Sequence, residues 1–205
     1  SGGVGLFNWG VLDTHFSERG RQARLIRLLN DTQIRYGFGV DEATALLVGF
    51  TATEDGPSVH MAVTGAAGVF IVDNQSAERA GEGAAVSISK VSTHYLTRDD
   101  TLDIKDGILR TRFADWKFAP NNTQAPMLSS GELFERDNYK QLAHLLCLTQ
   151  SRQADGKAVK VGQGHQISLY KDHSSYTRQG VFRQQDTEVQ YCSYRNLMLD
   201  IQPVQ

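Results

Sequence analysis

Hydrophobic positions along the chain fall in short runs separated by glycines and polar turn formers. The run at 10–16 (GVLDTHF) reads as a short buried strand with polar residues at its end. The period then changes: Ala23, Leu25, Ile26, Leu28 and Leu29 share one face, which predicts a helix capped by Ser17 and closed at Asn30–Asp31. Residues 36–55 (YGFGVDEATALLVGFTATED) read as loop, strand and turn, and 58–75 (SVHMAVTGAAGVFIVDNQ) as two strands joined at glycines. Residues 84–104 are rich in Val, Ile, Thr and Tyr, hence β, and 107–113 is a further short strand. The pattern breaks near residue 114. Residues 114–131 hold two of the four prolines and several turn formers, and they read as a linker that includes Ser129 and Ser130. Helical periodicity returns within 132–151, where Leu133, Phe134, Leu142, Leu145 and Leu146 recur on a face, and strands with short turns follow from residue 165. Residues 132–205 are thus expected as a small appended α+β lobe.

A chain of 205 residues is long enough for one large domain, or one domain and an appendage. Its net charge of −2 gives no overall basic field for nucleic acid, and no run approaches the roughly 20 apolar residues of a membrane span. Nucleic acid and membrane are therefore not expected partners. Cys147 and Cys192 read either as buried thiols or as one disulfide, and a separation of 45 residues decides nothing. With the linker, they favour a secreted or periplasmic setting over a cytoplasmic one. No cysteine or histidine spacing suggests a metal, and nothing calls for a cofactor.

The chemistry concentrates in one stretch. His15 stands at the end of a strand and before a helix, where an open α/β sheet presents ligand-facing groups. An imidazole there can take and return a proton near neutral pH. A lone histidine in such a place is more often a hydrogen-bonded structural residue. Its neighbours change that weighting: Arg19, Arg21, Arg24 and Arg27 follow within twelve residues. A planar guanidinium pairs with carboxylate better than an ammonium does. Arg27 reads as a solvated surface position; the other three read as a carboxylate-binding group.

The segment DTHFSERGRQARL resembles the Asp-Gln-His-Phe-Ser-Gln-Arg-x-Arg-x-x-Arg signature of the cyanophycinases. GFGVDEATALLV resembles the Gly-x-Gly-x-Asp-Glu-x-Thr-Ala segment that follows in that family, VTGAAGVFIVD its next strand pair, and STHYLTRDDTLDI its last catalytic-domain strands. The resemblance covers about residues 3–112. It implies a serine exopeptidase that cuts β-linked aspartyl-arginine polymer into dipeptides. It also implies a class-I-glutamine-amidotransferase-like fold, an open, mostly parallel sheet with flanking helices, with 1–113 as the C-terminal half of the peptidase domain. His15 would be the general base and Glu42 the acid that orients it, with Asp41 the rival for that role. Asp13, Thr14, Arg19, Arg21 and Arg24 match substrate-binding positions, although Thr14 replaces the family's usual glutamine.

The family's nucleophilic serine sits in a Gly-x-Ser-x-Gly elbow, and this sequence has none. In the family the elbow precedes the histidine segment. The expectation is therefore a companion chain carrying the N-terminal half and the nucleophile, the two forming a unit that can assemble further as a homo-oligomer. Ser1, activated by its own amine, is a lesser alternative, because the GGVG that follows does not resemble a buried strand. Two other functions stay open: a related hydrolase of other β-aspartyl peptides, and a non-catalytic binding subunit.

Overall fold

The computed structural model describes residues 7–53, 56–121, 123–124, 128–160, 163–184 and 187–204, so Ser1 lies outside the described residues. The first apolar run forms β1 (Val11–Thr14), followed by a 3-10 turn at Ser17–Arg19 and helix α1 (Gln22–Thr32). Ser17 therefore does not cap α1; Arg21 holds that position. The cause is Gly20, whose left-handed backbone (φ 56°) closes the 3-10 turn through its amide onto Ser17 O and breaks what would have been one longer helix.

Strands β2 (Tyr36–Val40), β3 (Thr44–Thr53), β4 (Gly56–Gly65) and β5 (Gly68–Asp73) come next. After them run β6 (Glu78–Ala80), β7 (Ser87–Thr97), β8 (Thr101–Lys105) and β9 (Ile108–Arg112). Ser129 and Ser130, expected in a linker, lie in a short strand, β10 (Leu128–Ser130). Helix α2 (Asn138–Leu148), β11 (Gln153–Lys160) and the long strands β12 (Gln163–Gln184) and β13 (Thr187–Pro203) complete the chain.

Among the described residues one nine-stranded sheet runs β1-β2-β5-β7-β13-β12-β11-β10, with β6 paired to β7, and a four-stranded sheet runs β3-β4-β8-β9. The fold is α/β with a mixed sheet and few helices. The expected mostly parallel sheet is corrected: only β1–β2 and β10–β11 run parallel. Parallel pairing needs a crossover, and the two helices described leave most strands joined by tight turns, which favour antiparallel partners. Strands from both sides of residues 114–131 share the large sheet, because β7 pairs with β13.

The large sheet is covered on both faces. On one, α1 and α2 bury Leu25, Ile26, Leu29, Tyr139, Leu142 and Leu146 against Phe70, Val72 and Leu199. On the other, the small sheet sets Val59, Met61, Val63, Leu102 and Ile104 against Phe38, Val69, Ile71 and Leu96. Strand β5 (GVFIVD) is buried on both faces, which explains its unbroken apolar run. The alternating glycines of YGFG also acquire a reason. A Cβ at Gly39 would come within 2.2 Å of the Phe16 ring, and one at Gly37 within 2.8 Å of Leu29, so both glycines let α1 and Phe16 lie directly on β2.

Candidate functional site

Strands β1 and β2 are parallel neighbours with Thr14 opposite Val40, so the residues just past their carboxyl ends emerge side by side. His15 leaves β1 in the left-handed region (φ 50°), which is costly for a residue with a Cβ. Phe16, fully buried, and its amide bond to Val40 O at 3.3 Å hold that turn. The imidazole is thereby left about half exposed, with Nδ1 2.9 Å from Glu42 Oε1. A carboxylate at Nδ1 favours the tautomer with a proton there and leaves the Nε2 lone pair outward. Among the described residues Nε2 has no hydrogen-bond partner. Glu42 is about as exposed as the histidine, so the pair adds at most about 1 kcal/mol of stability.

Asp41 is engaged elsewhere. Its buried carboxylate accepts from Ser17 N at 3.0 Å and from the Tyr95 hydroxyl at 2.7 Å, and Lys140 Nζ lies 3.5 Å away. Burial, reinforced by Asp41, pushes the Tyr95 hydroxyl far above its ordinary range, so it stays protonated and keeps donating. Lys140 also reaches Asp137 at 2.8 Å and Glu18 at 3.6 Å. Burial works against its charge, but the three carboxylates outweigh it and hold the ammonium above its usual range. Glu18 in turn accepts from the Glu42 amide at 3.2 Å. Lys140 thus braces both residues beneath the His15–Glu42 pair. It was not legible in the sequence, because it sits a hundred residues away in a helix whose pattern reports only its apolar face.

The remaining candidates divide into two groups. Asp13 forms an ion pair with Arg21, whose Nη1 also reaches Thr14 O at 3.2 Å, so this pair lies next to His15 in the chain and is partly exposed. The Thr14 side chain is exposed. Arg19 and Arg24, by contrast, line a cleft of ≈ 700 Å³ between α1 and the C-terminal strands, and His15 is not part of its wall. Arg27 lines it too but is tied to Asp31 at 2.8 Å. A second cavity of ≈ 440 Å³ adjoins the Tyr95–Lys140 side and reaches Cys192. Cys147 and Cys192, left open by the sequence, form a disulfide with Cα atoms 6.4 Å apart. Among the described residues no three or more histidine, cysteine, aspartate or glutamate side chains gather as metal ligands would.

Fold and site define an α/β protein that presents a histidine–carboxylate pair at the carboxyl ends of two parallel strands. A curated cyanophycinase of Geminocystis herdmanii (strain PCC 6308) is 31% identical to the chain over 94 residues, which is 46% of this chain and 32% of that protein. The chain spans about a third of the length of this relative. No family model and no solved structure matches the chain. The similarity is thus between part of this chain and part of a cyanophycinase.

Proposed function

We propose that this chain supplies the general base, its orienting acid and substrate-binding residues of a serine exopeptidase of cyanophycinase type. The reading includes the class-I-glutamine-amidotransferase-like fold, with residues 1–113 as the C-terminal half of its peptidase domain. The observation that carries it is the 2.9 Å contact between His15 and Glu42. It joins two segments that are 27 positions apart in the chain and that resemble two motifs of one family. His15 Nε2 would take the proton of an attacking serine, and Glu42 would stabilise the imidazolium. The acyl-enzyme would form on the main-chain carbonyl between consecutive β-aspartyl-arginine units, the imidazolium returning its proton to the leaving amine as that amide bond breaks, and water activated by the freed imidazole would then release it.

The nucleophile would come from a companion segment carrying the Gly-x-Ser-x-Gly elbow. Strand β1 supports this placement: it ends the sheet among the described residues, and its own Leu12 is 47% exposed. A parallel strand added there would bring its own carboxyl end beside His15. The Cys147–Cys192 disulfide supports a secreted or periplasmic setting.

The test is dipeptide release from β-aspartyl-arginine polymer by the protein together with its elbow-bearing segment. His15→Ala is expected to abolish release; full activity in that variant would sink the proposal. A second reading, hydrolysis of other β-aspartyl peptides, is favoured by Thr14. It is excluded if the polymer is cut well and isoaspartyl dipeptides are not.

A further inference from the structure

The cleft along α1 carries both signs of charge. Arg19 and Arg24 stand on one wall, exposed, and among the described residues neither guanidinium has an ion-pair or hydrogen-bond partner. This sets them apart from Arg21 and Arg27, which Asp13 and Asp31 hold. Glu132 and Glu135 stand on the other wall, in the C-terminal segment that the sequence resemblance does not reach. Glu132 is fixed by the Val159 amide, which donates to its Oε2 at 3.3 Å, whereas the Glu135 carboxylate is exposed. Ile88 and Phe134 supply an apolar floor. A volume of ≈ 700 Å³ suits a ligand of dipeptide size or larger.

The two walls are locked together. A Cβ at Gly20 would come within 2.0 Å of Phe134 O, so the backbones touch there, and the Asp137 amide donates to Ser17 O at 2.8 Å. The two sets of charges therefore line one preformed cleft, which lowers the cost of ordering a ligand. Two arginines alone would suit any polyanion. Two glutamates disfavour a carboxylate on their own side of the cleft and favour a cation there.

We infer that Glu135, with Glu132 beside it, is a specificity-determining carboxylate: the cleft takes a dipolar peptide unit, its carboxylate on Arg19 and Arg24 and its cationic side chain on the glutamates. The inference rests on the peptidase reading for the peptide nature of the ligand. It adds that the C-terminal segment reads the side chain.

Calorimetric titration with β-aspartyl-arginine and β-aspartyl-alanine tests it. The wild-type protein is expected to prefer the arginine dipeptide. Arg19→Ala/Arg24→Ala should weaken both ligands about tenfold or more, as loss of charge-assisted hydrogen bonds does. Glu135→Gln should weaken the arginine dipeptide severalfold and leave the alanine dipeptide unchanged or tighter. Arg183→Ala, on the β12–β13 hairpin, should change neither. Equal affinity of the wild type for both dipeptides, no measurable binding, or equal losses for both in Glu135→Gln would overturn the inference. These titrations read binding without cleavage. If His15→Ala leaves polymer hydrolysis intact while the dipeptide preference holds, the proposed reaction fails and this inference stands. If His15→Ala abolishes hydrolysis while the wild type binds both dipeptides equally, the reaction stands and this inference fails.

Discussion

Two adjacent acids, Asp41 and Glu42, differ here in what surrounds them. Asp41 is buried among Ser17 N, Tyr95 and Lys140, and Glu42 is exposed against His15. Asp41→Ala would strip Ser17 N and the Tyr95 hydroxyl of their acceptor and should cost about 2–4 kcal/mol in a denaturation experiment. Glu42→Gln should stay within about 0.5 kcal/mol of wild type in the same measurement. The sequence shows both acids and ranks them only through the family resemblance, since burial depends on Tyr95 and Lys140, far away in the chain. A second residue-scale effect comes from His94. Burial lowers its pKa to about 4, and its Nδ1 accepts from the Asn196 amide, so the folded protein keeps it neutral. Between about pH 6.5 and 4 the unfolded chain binds the extra proton, so stability falls as pH drops through that window, by on the order of 3 kcal/mol. Burial shifts His144 in the same direction. Urea midpoints measured from pH 7 to 4 should therefore decline, and His94→Leu should flatten the decline.

Helix α2 shows how an element distant in sequence comes to support the site. Its Lys140 reaches Asp41 and Glu18, and its Cys147 is bonded to Cys192 of β13. Closing a loop of 45 residues stabilises by about 4 kcal/mol on the chain-entropy account. Reduction, or Cys147→Ser/Cys192→Ser, should lower the melting temperature clearly in a calorimetric scan. The helices were legible because their apolar residues repeat with the right period, but their starts were not. Gly20, which sets the start of α1, reads in sequence as an ordinary glycine, and its close approach to Phe134 depends on a segment more than a hundred residues away. The glycines of β2 were similarly opaque, since their purpose is the Phe16 ring and the Leu25 and Leu29 side chains lying on them. Gly39→Val should force Phe16 off the sheet and cost on the order of 3 kcal/mol or more in chemical denaturation.

At the scale of the whole molecule, the order of strands was the hardest thing to read. Short apolar runs announce strands and not partners, so the pairing of β7 with β13, which joins the two ends of the chain in one sheet, had no local sign. The parallel β1–β2 pair was no clearer: YGFGV reads in sequence as loop, and α1, the crossover between the two strands, was the part that could be read. That pair is what sets His15 beside Glu42, and it is the part of the molecule on which the proposed reaction depends. The most direct test is a double-mutant cycle on these two residues, read as kcat for dipeptide release from β-aspartyl-arginine polymer by the protein together with the proposed elbow-bearing segment. If Glu42 acts by orienting and charging His15, Glu42→Gln should lower kcat by roughly 10²–10⁴-fold with little change in KM, and should cost nothing further in a His15→Ala background. Undiminished turnover in Glu42→Gln, or losses that simply multiply in the double variant, would contradict it.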